Sequence, residues 1–272
     1  MQNILEKVKV IYRDDLLFIV DKPSGLVVHG DGRTEEKSLV DWLESYCEEN
    51  NINTDEQKNI GNKHTLDSGR YTHRWGILNR LDRETSGIIL IAKKQNIFDK
   101  LQKDWQSNVE KKYIAILHGE INVKNLIEEN KTIKIENENK YLIEEKLSRH
   151  KKDPRIWVLK SDEGSRITTR DAKTLCEVVK IVEVIGQKFT IVNFWPITGR
   201  THQLRLHAKF LKHPILGDKK YSFGGIDNIL NIDRENRLML HAIYIKFLHP
   251  ETREYIEIKT ENPDFGEFKS ML

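Results

Sequence analysis

The sequence predicts an α+β fold: a long mixed sheet, mostly antiparallel, with a few flanking helices. Two observations predict it. Strand-like runs dominate, with helical patterns only occasionally between them, so the regular strand–helix alternation of a parallel sheet is missing. The 272 residues also carry no internal repeat, no low-complexity tract and no Gly/Ser linker, so residues 1–272 read as a single domain.

Taken in order, "VKVIY" and "LLFIVDKPSG" read as two strands split by "RDD", the second ending in a Pro-Gly turn. "GLVVHGDG" reads as a further short strand and loop. Ser38 then opens "SLVDWLESYCEE", where Leu39, Trp42, Leu43, Tyr46 and Cys47 recur at helical spacing and Ser38 with Asp41 forms a capping box. The stretch about 50–72 is polar and aperiodic and reads as a surface insertion. "RWGILNRLDRETSGIILIAKK" is loop then strand, "NIFDKLQKDWQ" an amphipathic helix and "KKYIAILHG" a strand. Short strands such as "KTIKIE" and "RIWVLK" follow. "AKTLCEVVKIVE" and "KFTIVNFWP" form a long hairpin turning near Gly186. "GRTHQLRLHAKFLKHP" reads as a helix after a Gly turn, "LMLHAIYIKFLHP" and "REYIEIKT" as a final hairpin, and "PDFGEFKSML" as a short terminal helix.

Composition narrows the function. The apolar runs are far shorter than a membrane span, and the opening "MQNILEKVKVIYRDD" has no signal-peptide core, so a cytoplasmic protein with no membrane partner is expected. Cys47 and Cys176 are far apart and no pair has zinc spacing. That fits buried thiols in a reducing compartment and counts against a zinc deaminase. The formal charge of +3 is too small to argue for nucleic acid, but its distribution is uneven. Residues 41–56 hold six acids and no base, whereas residues 198–222 hold six Lys/Arg, three His and one acid, Asp218. The second segment is a candidate polyanion surface.

Three motifs have the residue types for chemistry. In "NRLDRETSG", Asp82 has Arg80 and Arg83 beside it, and turn-forming Thr85, Ser86 and Gly87 lead directly into an apolar strand. Nearby guanidinium favours the carboxylate, and a rigid loop suits a nucleophile. An ordinary loop ion pair fits this local pattern as well. In "GRTHQLRLHAKFLKHP", helical spacing puts Leu204, Ala208 and Leu211 on one stripe and His202, Arg205, Lys209 and Lys212 on a neighbouring basic face. Arg200, Thr201, His202 and Gln203 at the helix start suit phosphate oxygens. The histidines do not have metal-ligand spacing. In "KKYIAILHG", Tyr113 is either a core tyrosine or a ring that stacks on a flipped base.

Together, "DDLLFIVDKPSGLVVH", "NRLDRETSGIILIAK", "KKYIAILHG", "PITGRTHQLRLHAKFLKHPILGD" and "LMLHAIYIKFLHP" resemble, in order and spacing, the successive motifs of the RluA-type RNA pseudouridine synthases. The resemblance implies a sheet whose halves flank a central basic cleft, and isomerisation of specific uridines in structured ribosomal or transfer RNA. It implies no cofactor, no metal and a monomeric enzyme that takes a flipped uridine. It makes Asp82 the catalytic aspartate, Tyr113 the ring packed on the target base, and Arg205 the basic residue paired with the catalytic carboxylate. Arg80 becomes the arginine that supports the RNA at the vacated position, and Arg200, Thr201, His202, Gln203 and Lys209 serve RNA binding. Arg83 is assigned no role. Asn79 stands where the family usually has His, which predicts altered loop hydrogen bonding, and no separate N-terminal RNA-binding domain is matched. The main alternative is a catalytically inactive RNA-binding protein of the same fold. A glycosidase is disfavoured because the only acid near Asp82 in sequence, Glu84, belongs to no second acidic motif.

Overall fold

The computed structural model describes residues 3–30, 36–61, 74–129, 132–137, 139–153, 156–222 and 237–272. In chain order the elements are β1 (Lys9–Arg13), β2 (Leu17–Lys22), α1 (Leu39–Glu49), α2 (Thr54–Asn59), β3 (Ser86–Ala92), α3 (Gln95–Lys103), α4 (Trp105–Asn108), β4 (Val109–His118), α5 (Val123–Glu129), β5 (Ile133–Asn137), β6 (Lys140–Arg149), β7 (Trp157–Leu159), β8 (Arg170–Val184), β9 (Gln187–Pro196), α6 (Gln203–Phe210), β10 (Leu240–Leu248) and β11 (Tyr255–Lys259). Single 3₁₀ turns occupy Ile4–Lys7 and Gly266–Met271. The predicted α+β class holds. The chain forms two compact units, residues 1–110 with 244–260, and residues 111–243 with 261–272.

In the first unit, β1, β2 and β3 form antiparallel ladders, with Leu17 opposite Ala92 and Lys22 opposite Gly87. The C-terminal part of β10 pairs with β11. Every residue of β3 is buried, as expected of a strand covered on both faces. Its core joins Leu17, Ile19, Ile88 and Leu90 to Ile97, Phe98 and Leu101 of α3 and to Ile245 and Phe247 of β10. The predicted capping box on α1 is present: the Asp41 carboxylate accepts the Ser38 backbone N–H at 2.8 Å, and Leu39, Leu43 and Cys47 face inward.

Two expectations for this unit need correction. "GLVVHGDG" forms no named strand; Val27 makes one isolated bridge to Ser38. The first part of the expected insertion is not merely surface loop. Asn53 caps α2, Ile60 enters the core, and buried Gln57 donates to the carbonyls of Trp75 (2.8 Å) and Ala92 (2.9 Å). A helix of six residues is too short to show an apolar period, which is why the pattern read as aperiodic. Residues 62–72 of that stretch lie outside the described residues.

In the second unit the strand order is β4-β9-β8-β6-β5, with β7 on β6, and the ladders are antiparallel. The hairpin between β8 and β9 turns on Ile185 (φ 50°) and Gly186 (φ 69°), the pair of positive φ values that a two-residue hairpin requires. Residues directly opposite in a ladder share a face. Tyr113, Phe194, Cys176 and Tyr141 therefore form one row across β4, β9, β8 and β6. Helix α6 packs on that same face: Leu206 meets Leu147, Trp157, Leu159 and Ala172, and Tyr221 joins them.

Candidate active site

The loop carrying Asp82 is tied down from several sides. Asn79 uses both ends of its amide on β3, donating to the Ile88 carbonyl and accepting the Leu90 N–H, each at 2.9 Å. The Thr85 N–H donates to the Asp82 carbonyl at 3.2 Å, closing a turn. The "KPSG" turn clamps the next two carbonyls: the Gly25 N–H donates to Arg83 O at 2.8 Å, and the Ser24 hydroxyl to Glu84 O at 2.6 Å. Lys22 is fully buried, and its ammonium donates to Leu26 O (2.7 Å), Pro23 O (2.9 Å) and Arg83 O (3.2 Å). A buried cation persists only when so satisfied. Arg83 binds Glu36 through two hydrogen bonds, the Nη2–Oε2 one at 2.6 Å, so the flanking arginine left without a role is a loop brace. Asp82 itself is half-buried.

Two basic neighbours of this loop, His29 and Arg74, are assigned no role by the sequence. Burial and then the charges of Arg80 and Arg74 push His29 down to about 4, so it is neutral at pH 7. Burial and then Arg80 press Arg74 below the ordinary arginine range. Exposed Arg80 thus lies close enough to His29 and Arg74 for its charge to act on both. The "HRWG" spacing gave no reason to single out Arg74.

In the second unit, the sheet face that carries Tyr113 also carries α6. Tyr113 is half-buried, and two residues earlier on the same strand face burial pushes Lys111 down to about 8. Arg205 is buried, 3% exposed, and makes a bidentate pair with Asp218: Nε to Oδ2 at 2.8 Å and Nη2 to Oδ1 at 2.7 Å. Its guanidinium also lies 5.2 Å from the centre of the Tyr221 ring. Asp218 is fixed in turn, accepting the backbone N–H groups of Lys220 (2.9 Å) and Tyr221 (3.0 Å). Gly217 precedes it at φ +78°, where a Cβ would stand 2.0 Å from the Arg237 carbonyl oxygen. Only glycine permits that approach. In the sequence, Asp218 stood out only as the lone acid of a basic segment.

The start of α6 differs from the predicted basic helix. The helix spans only Gln203–Phe210, and His202 caps it in the left-handed conformation (φ 55°, ψ 20°). Such a conformation in a non-glycine residue must be held by its surroundings. The Tyr221 hydroxyl shares a 2.6 Å hydrogen bond with His202 Nδ1. Gln203, assigned to RNA, is buried, and its amide is spent internally. It accepts from the Thr198 hydroxyl (2.7 Å) and the Arg200 N–H (3.0 Å), and donates to Lys173 O and Thr174 Oγ1, both at 2.9 Å. It locks the turn instead of meeting a ligand. The continuous basic face does not form: Arg205 is inside, Lys209 is 3.0 Å from Asp162, and Lys212 lies past the helix at φ 63°. Arg200 and Thr201 remain accessible, with Arg200 Nε donating to Asp171 O at 3.0 Å.

The RNA pseudouridylate synthase family model matches residues 16–210. Ribosomal large subunit pseudouridine synthase C of Buchnera aphidicola (subspecies Schizaphis graminum) is 31% identical over 266 residues, covering 94% of this chain and 67% of that one. The protein of the same description from Haemophilus influenzae is 31% identical over 247 residues, covering 90% of this chain and 62% of its own. This chain thus spans about two thirds of the length of these relatives, and slightly less for the second. Among solved structures, human RNA pseudouridylate synthase domain containing 1 matches with a TM-score of 0.66 at 22% identity, over 97% of this chain and 86% of that one, a likeness of fold. The chain belongs to the RNA pseudouridylate synthase family of isomerases.

Proposed function

We propose that this protein converts specific uridines of structured RNA to pseudouridine, working as a cytoplasmic monomer on ribosomal or transfer RNA. The names of its relatives favour the ribosomal large subunit. The base leaves its stack, because its reacting atoms are inaccessible within a helix. The bond from N1 to C1′ breaks, the uracil turns, C5 bonds to C1′, and C5 gives up its proton while N1 takes one. No redox change occurs, so the reaction needs positioning and charge rather than an electron carrier.

Asp82 serves as the ionised carboxylate, adding to C1′ or assisting removal of a sugar proton. Tyr113 stacks on the uracil. Arg205 holds the carboxylate charged and aimed. Arg80, Arg200, Thr201 and His202 contact the RNA, whereas Gln203 and Lys209 shape the turn and helix from within the protein. The observation that carries this reading is the loop of Asp82, whose backbone carbonyls on the C-terminal side are held by Lys22, Ser24 and Gly25. Immobilisation of that kind suits a reacting group more than a surface ion pair. The test is pseudouridine mapping of total RNA from cells with and without the protein. Sites that vanish in its absence and return on complementation support the proposal; an unchanged map refutes it.

A further inference from the structure

We infer that Arg149, Arg166 and Arg170 form, with Arg200, a second RNA-backbone contact on the second unit, outside the residues that handle the target uridine; this rests on the proposal that the substrate is RNA. The four arginines come together through the fold alone. Arg149 ends β6 opposite Trp157, and Arg170 begins β8 opposite Leu147. The Arg166 N–H donates to the Ser148 hydroxyl at 3.1 Å, and Arg200 Nε reaches the carbonyl of Asp171, the residue after Arg170, at 3.0 Å. Arg149, Trp157 and Arg170 point to the face on which α6 packs, so the track runs toward the turn that starts α6.

Two features together mark these arginines: no carboxylate pairs with them among the described residues, and two of them share one aromatic ring. Lys134, Lys140, Lys173 and Lys209 of the same unit each have a carboxylate within 3.5 Å. Among the described residues none of the four arginines has one. The nearby acid Asp162 is taken by Lys209 and by the Leu159 N–H. Two of the guanidiniums are also held in place: those of Arg149 and Arg170 lie 5.7 and 5.6 Å from the centre of the buried Trp157 ring. Stacking restrains the planar group while its N–H edge stays exposed, the arrangement that suits arginine to phosphate. Arg149, Arg166 and Arg170 are exposed on neighbouring backbone, and a chain of phosphates is the ligand that neutralises several cations at once.

The experiment measures binding of a fluorescein-labelled RNA hairpin and of single-stranded polyuridine across a range of salt concentrations, with no turnover involved. The variants are R149Q/R166Q/R170Q and the single R166Q, which leaves the Trp157 stacking untouched. Removing one arginine–phosphate ion pair lowers the slope of log affinity against log salt by about 0.7 to 0.9. The triple variant should therefore lose about 2 to 3 from the slope, and R166Q somewhat less than 1. Slopes equal to the parent's in folded variants, checked by circular dichroism, overturn the inference. The outcome is independent of the Asp82 reading: an Asp82→Asn protein that turns over RNA sinks the catalytic proposal without moving the salt slope.

Discussion

Replacing Asp218 by asparagine tests how Arg205 is held. The two side chains have nearly the same shape, and the Oδ1 position retains an oxygen to accept the Lys220 and Tyr221 N–H groups. At the Oδ2 position an NH₂ now meets Arg205 Nε, so two donors face each other where a 2.8 Å charged hydrogen bond stood. Both side chains are buried, 4% and 1% exposed, so the guanidinium loses the carboxylate that neutralises it within its own unit, where water cannot replace it. Removing one partner of such a pair costs about 3–5 kcal/mol, a large part of the roughly 5–15 kcal/mol that a domain commands. Urea unfolding, followed by tryptophan fluorescence, reads the loss. The variant that remains folded should bind RNA within about twofold of the parent while kcat falls about 100-fold, the size of effect that follows from mis-aiming a group by about 1 Å. Adding Arg205→Met should restore at least about 2 kcal/mol, because no buried guanidinium then faces the new amide, yet restore no turnover. An Asp218→Asn protein within about 1 kcal/mol of the parent and with full kcat would refute the argument.

Other outcomes follow from the same structure. Gly217→Ala drives a methyl group into the Arg237 carbonyl at a positive φ, so soluble expression and cooperative melting should both fail; a normal Tm contradicts this. Burial holds His207 down to about 3, and among the described residues neither ring nitrogen has a hydrogen-bond partner. The unfolded chain therefore takes the proton first, and stability is lost as pH falls from about 6.5 toward 3. Between pH 7 and pH 4.5 this residue accounts for about 2.5 kcal/mol of that loss. His207→Leu should flatten the pH dependence measured by urea unfolding by about that amount, and an unchanged dependence rules it out. Ser24→Ala removes the 2.6 Å clamp on Glu84 O. About 1–2 kcal/mol of stability should go, with hydrogen exchange quickening in residues 82–85; unaltered exchange there contradicts the clamp.

What the sequence made legible was local chemistry of a repeating kind. Alternation along "AKTLCEVVKIVE" and "KFTIVNFWP" announced β8 and β9, the Ile185-Gly186 turn joined them, and Ser38 with Asp41 announced α1. Partnerships across long sequence distances were not legible. Nothing near Asn79 says that its amide bridges Ile88 and Leu90, and nothing near Arg83 names Glu36. Helical periodicity over residues 199–214 predicts a longer helix before Pro214 than forms, because it does not disclose that His202 turns left-handed or that Gln203 points inward. Arg205 looked like a surface cation for the same reason. Its burial depends on Asp218, thirteen residues later and beyond the helix, a pairing that no period encodes. Asp82 was legible only through its company, since an aspartate between two arginines fits an ion pair equally well.

The central claim is that Asp82 performs the isomerisation. Ribosomal RNA labelled with tritium at uracil C5, from cells lacking the protein, is incubated with parent enzyme and with Asp82→Asn. The account predicts tritium release by the parent, none by the variant, and RNA affinity for the variant within a few-fold of the parent's. Release by the Asp82→Asn protein at a rate comparable to the parent's, or none by the parent, would contradict it.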